Sequence, residues 1–269
     1  MMDNYMKVIL FLTLVLAAFL TAVSLAGAFD PATYARETAS LAAQGRGQDL
    51  VNLFLVVPLL AISVLRMRKG SRIAQILLTG TVLYVFYSFV IYSFGIHFNH
   101  LFLCYCAVLG LSFYVLVWII RGMSGQDFGK WFGSRMPARA TGVFLLIIAV
   151  LFYMTWLRDT LPAVFNRTVP HSVSDNNLLV NPVHVMDMAV VLPGLMIAGI
   201  WLVRRQSPGY FLGPVLLVFI ILMAVALAGM VLYSSVQGIS GDASIASIFV
   251  VMAAAGGLFF ILALKNMKT

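Results

Sequence analysis

The chain has 269 residues, 62% of them hydrophobic and only 10% charged, with a mean hydropathy of +1.02. A water-soluble fold of this length has no interior large enough to hide that much apolar surface, so lipid must be its solvent. The net charge of +8 and pI of about 9.7 would suit a nucleic-acid partner, but the basic residues sit at the ends of apolar stretches, where anionic headgroups account for them; nucleic acid is therefore excluded and the lipid bilayer is the first partner.

Eight apolar stretches follow one another: residues 8–28, 50–65, 73–94, 101–120, 141–157, 183–203, 210–232 and 243–264. A helix needs about 20 residues to cross a hydrocarbon core, whereas barrel strands would be about 10 residues long and alternate in polarity. The expected fold is an all-α membrane protein of eight transmembrane helices, the form that satisfies backbone polar groups internally in lipid. With the N-terminus in the cytoplasm, only Arg36, Arg46, Arg158 and Arg167 of the 17 Lys and Arg residues fall on outer segments. The positive-inside rule selects that orientation, with both termini cytoplasmic and the protein multi-pass in the cell's inner membrane.

The first stretch ends in a small-x-small pattern at Ala26 and Ala28. Its apolar run is longer than a signal-peptide core, so it is expected to be a retained helix. The second stretch opens at Gly47-Gln48-Asp49, carries Asn52, and contains Pro58. In the third, Tyr84, Tyr87 and Ser88 share one helical face, and Tyr92 is assigned to an interfacial aromatic belt. Asn99 is placed to cap the fourth, followed by His100. Cys104 and Cys106, two residues apart on a helix, point to different faces and form neither a disulfide framework nor a metal site.

Residues 121–140 form a cytoplasmic connector rich in Gly and containing Pro137, with the character of a hinge. It separates a first four-helix half (1–120) from a second (141–269). The fifth stretch precedes the longer outer loop. The sixth opens at Asn181-Pro182, a capping residue followed by a proline suited to the first helical position. It carries His184, Asp187 and Pro193. Setting Pro58 against Pro193 brings Asp49 opposite His184 and Asn52 opposite Asp187. The implied repeat is parallel, about an axis along the membrane normal. Small residues in the last two stretches (Ala224, Ala228, Gly229, then Ala243, Ser247, Ala254, Gly257) are assigned to close helix packing.

Asp187 is the costliest residue, about 8 Å into its helix at 1.5 Å per residue. A carboxylate in a span costs at least about 2.5 kcal/mol and tends to be paired or to face a cavity. His184 lies three residues earlier on the same face, and Asp49 and Asn52 repeat that spacing on the second helix. The four residues, with Tyr84 and Tyr87, are the candidate solute- or ion-binding set of an outward-facing pocket. The alternative is an interfacial polar knot that locks helices together. Pro58 and Pro193 kink their helices and are expected to free the carbonyls of Phe54 and Ala189.

All four histidines lie on the predicted outer side. His97, His100 and His184, with Asp187, are candidate ligands for a metal or haem iron, and no motif names a cofactor. There is no phosphate-binding loop, zinc-protease helix or nucleophile elbow. A small transporter or permease is the expected function. A metal- or haem-dependent membrane enzyme and an accessory subunit of a larger complex are the alternatives, and an oligomer is compatible with each.

The stretches Gly47-Gln48-Asp49-Leu50-Val51 and Asn181-Pro182-Val183-His184-Val185-Met186-Asp187, with Pro58, Pro193 and the Arg204-Arg205 ending before Gly209-Tyr210, resemble those of uncharacterised polytopic membrane proteins of prokaryotes. The resemblance implies an eight-helix membrane fold and carries no activity with it.

Overall fold

The computed structural model describes residues 4–123, 125–239 and 244–268. Among the described residues eight helices are long and apolar enough to cross a membrane: α1 (Asn4–Phe29), α2 (Ala39–Met67), α3 (Arg72–Gly95), α4 (Phe102–Arg121), α5 (Ala138–Asn166), α6 (Pro182–Val203), α7 (Ser207–Val236) and α8 (Ser244–Leu264). The protein is an all-α, multi-pass membrane protein. Asp3, Asp242 and Ala243 lie outside the described residues.

Helix ends depart from the apolar stretches for local reasons. α2 begins at Ala39, well before residue 50, because Thr38 accepts a hydrogen bond from the Leu41 N–H and residues 39–48 are rich in alanine, the best helix former. α5 likewise continues through Asp159 to Asn166, and Arg167 closes it in the left-handed conformation. These turns are helical but too polar to register in a hydropathy window. The cap expected on α6 is present, with Asn181 Oδ1 accepting the Val183 N–H at 3.0 Å.

The chain forms two compact units. The first comprises residues 1–126 and 217–258, the second 127–216 and 259–269. α7 gives its residues up to Leu216 to the second unit and those from Leu217 to the first, and α8 divides after Leu258. In the first unit α1 packs on α2 and α4, while α3 lies against α2 and α4. α3 is the most enclosed of these, with Ile76, Leu78, Tyr84 and Phe89 fully buried. Gly47 of α2 meets the backbone of Gly229 so closely that a Cβ on Gly47 would stand 2.7 Å from the Gly229 carbonyl oxygen. Gly229 therefore has the packing role expected of it, while Gly257 faces open space and does not.

The second unit is built on the pair α5 and α6, with Gly142 and Gly199 at their crossing. The stretch with hinge-like composition is bound into this unit from Asp127 on. Asp127 Oδ1 accepts the Gly129 N–H and the Ser207 hydroxyl, Phe128 packs on Phe211 at 4.9 Å, and the Lys268 N–H reaches the Trp131 carbonyl.

Candidate functional site

Four of the spanning helices carry an internal proline: Pro58 in α2, Pro162 in α5, Pro193 in α6 and Pro214 in α7. Those of α2 and α6 do the same unusual thing just before it. In α2 the turn Asn52–Val56 is a π-helix, as is Asp187–Val191 in α6. The two wide turns are 135 residues apart, the offset that aligns Pro58 with Pro193. Each begins on the polar residue singled out in the sequence. π-turns of this kind are rare and concentrate at functional sites.

Their hydrogen bonding adds a carbonyl to those expected to be freed. The Leu192 N–H reaches back five residues to Asp187 O rather than four to Met188 O. Pro193, which would have served Met188 in the wide register, has no N–H. Met188 O is thus left without an intrahelical donor as well, and the Tyr153 hydroxyl of α5 donates to it at 2.8 Å. In α2 the Val57 N–H likewise bonds Asn52 O and so does not serve Leu53 O.

The second unit holds His184 and Asp187. Both are enclosed, 5% and 7% exposed. The Trp156 indole Nε1–H donates to Asp187 Oδ2 at 2.7 Å, and the same indole lies 4.6 Å from the His184 ring. On its other side His184 Nδ1 is 4.0 Å from Asp159 Oδ2, which accepts the Ser172 hydroxyl at 2.6 Å. Ser172 belongs to a single helical turn, His171–Ser174, in the loop between α5 and α6. Two carboxylates, one imidazole and one indole therefore form a continuous polar run. Tyr153, Trp156 and Asp159 stand at i, i+3 and i+6 of α5 and present one stripe to α6. That spacing was visible in the sequence but is masked by the apolar residues between.

The first unit holds Asp49, Asn52, Tyr84 and Tyr87. Asp49 is fully buried and accepts two phenols: Tyr34 O–H on Oδ2 by a short hydrogen bond, and Tyr92 O–H on Oδ1 at 3.3 Å. Tyr84 donates to Asn52 Oδ1 at 3.0 Å, and Gln48 Nε2 donates to Tyr84 at 3.4 Å. Tyr87 packs edge-on against Phe219 at 5.5 Å. Tyr92 is thus not an interfacial belt residue. It is buried, stacked on Phe89 and edge-on to Tyr105, with its hydroxyl aimed inward.

Nothing in the sequence marks Tyr34. It lies in the loop between α1 and α2, and two glycines make room for it: a Cβ on Gly45 would meet its ring at 2.8 Å, and one on Gly27 would overlap Asp49 Oδ2. Burial above all, then the neighbouring Tyr92 and Asp49, push the Tyr34 phenol well above its usual 10.0, so it stays a neutral donor. Its loop is stitched to the loop between α3 and α4. Glu37, its side chain 2% exposed, accepts both the backbone N–H (2.7 Å) and the Nδ1 (3.0 Å) of His97, and Arg36 donates to Phe98 O. Asn99 accepts the Leu101 N–H and donates to Thr33 O and Tyr105.

The histidines do not converge. Each stands beside its own acid: His97 with Glu37, His100 with Asp30 at 3.5 Å, His171 with Asp175 at 3.7 Å and His184 with Asp159. Among the described residues no three His, Cys, Asp or Glu side chains gather as a metal site would require. The reason is local, since His97 and His100 are held by loop acids before any third ligand is within reach.

No protein-family model, curated protein or solved structure matches this chain.

Proposed function

We propose that the protein is a small transporter or permease of the cytoplasmic membrane, taking a small solute or ion at the polar run of the second unit: Asp159, His184, Trp156 and Asp187. The observation that carries this reading is the pair of proline-terminated π-turns at equivalent positions, opening on Asn52 and on Asp187. Interrupted helices at matching places in two halves are a pointer to a transporter site, because a break in the helical ladder is tolerated in lipid only where other groups complete it. The enclosed carboxylate of Asp187 also favours binding over packing, since an acid at that depth is expensive. The Trp156 indole orients it, as a fixed donor orients a ligand-binding group.

The test uses purified full-length protein. A thermal-shift screen with inorganic cations, inorganic anions, amino acids and sugars selects the solute that stabilises it. Uptake of that solute into proteoliposomes is then compared between wild type and Asp187→Asn. Wild type is expected to accumulate the solute and the variant to lose at least tenfold in initial rate. Equal uptake by a folded Asp187→Asn removes the proposal.

A further inference from the structure

The first unit contains a carboxyl group with no charge partner. Among the described residues no Lys, Arg or His pairs with the fully buried Asp49, and Arg46, three residues earlier on its own helix, forms no ion pair with it. A carboxylate taken out of water alone costs several kcal/mol, and such a group takes a counter-ion or a proton.

Neutral groups surround it. Tyr34 comes from the loop, Tyr92 from α3, Ser24 from α1 and Asn52 from the next turn of α2. The other titratable groups near it are Tyr84 of α3 and Tyr105 of α4. Two of the immediate neighbours are unfinished: Ser24 Oγ and Asn52 Nδ2 are buried and make no hydrogen bond of proper geometry, although both bear on the carboxyl. The other end of the Asn52 amide is occupied by Tyr84. An ionised carboxylate has about four lone-pair sites and can accept from Tyr34, Tyr92, Ser24 and Asn52 together; a protonated one gives up a site and becomes a donor itself. The cage thus has donors for the anion and a rest position for the acid. A metal ion would need lone pairs aimed at it, whereas Tyr34 and Tyr92 aim hydrogens at the carboxyl.

We propose that Asp49 is a reversible proton-binding site, served from the predicted outer side through Tyr34. One O–H bond forms on a carboxylate oxygen as a hydrogen ion arrives, the charge goes from minus one to zero, and the same bond breaks on release. Tyr34 joins the site to the stitched outer loops, and Gly27 and Gly45 keep the phenol and the carboxyl in contact. In a transporter this site supplies the coupling ion. That use rests on the reading above, but the site's existence does not.

Infrared difference spectra of the full-length protein in lipid nanodiscs, recorded across a pH change in light and heavy water, test it. Wild type and Asp187→Asn are expected to show a deuterium-sensitive carboxylic acid band that appears on acidification, and Asp49→Asn to lack that band. Tyr34→Phe, which keeps the carboxyl in place, retains the band at higher frequency because the acid has lost its short hydrogen bond. Identical spectra for wild type and Asp49→Asn overturn the proposal. An unmoved band in Tyr34→Phe does the same for the role of Tyr34, and a band that answers to sodium chloride at constant pH rather than to pH overturns the ligand. The spectra need no solute, so lost uptake without lost spectra, or the reverse, shows which of the two proposals has failed.

Discussion

Asp187 accepts the indole N–H of Trp156 across 2.7 Å, and the indole carrying that hydrogen is also the ring against which His184 packs. One side chain of α5 thus orients two residues of α6. A hydrogen bond to a charged group is worth about 1.5–3 kcal/mol, more than a neutral one. Trp156→Phe keeps the aromatic contact and removes the donor. Thermal unfolding in detergent is expected to show a loss of that size, with transport of the selected solute falling alongside it. An unchanged midpoint would mean that Asp187 is held by other contacts.

The Tyr153 bond to Met188 O exists because Pro193 and the wide turn leave that carbonyl without a helical donor. Tyr153→Phe leaves the carbonyl unmet, at about 1–3 kcal/mol. Pro193→Ala restores an N–H five residues on. In that background Tyr153→Phe is expected to cost less, with a coupling of at least about 0.5 kcal/mol between the two changes. Strict additivity in the double-mutant cycle contradicts the account.

Gly27 stands where any side chain would strike Asp49. Gly27→Ala is expected to destabilise by about 1–3 kcal/mol through overpacking. Gly110 of α4 meets nothing within 4 Å, and Gly110→Ala is expected to be neutral or to stabilise by roughly 1 kcal/mol as a helix-interior glycine. Similar unfolding temperatures for the two variants would refute the crowding at Asp49.

Tyr34 ionises less readily in the folded protein than in the unfolded chain, where its usual value is 10.0. Below that value both states hold the proton and the group contributes no pH dependence. Above it the unfolded state releases the proton first, so stability falls as pH rises, by at most about 1.4 kcal/mol per pH unit. Tyr34→Phe is expected to remove that part of the alkaline decline. A variant whose stability falls above pH 10 as steeply as wild type would show that Tyr34 is not the group concerned.

The eight spans could be read directly because hydropathy reports the one property lipid demands of them. Helix ends could not, since Ala39 to Gln48 is helical by alanine content and a Thr38 cap rather than by apolar character. Pro58 and Pro193 announced a disturbance, but whether a helix bonds back four or five residues before a proline depends on packing, so Met188 O and its Tyr153 donor were not legible. Asp49, Asn52, His184 and Asp187 stood out because charge and amide groups are costly in a span. Their partners did not. Tyr34 lies in a loop, Tyr92 sits where aromatic belts usually do, and Trp156 lies among exposed apolar residues such as Met154 and Leu157.

The wide turns also give each helix a slack residue. A helix that bonds back five places contains one residue more than its flanks require. Removing Leu53 would return the Val57 N–H to a four-residue span from Asn52 and leave both flanks facing as they do. Removing a residue one turn away would instead swing everything beyond it by about 100°. Length variation in α2 and α6 is therefore tolerable at the polar turn itself and ruinous beside it.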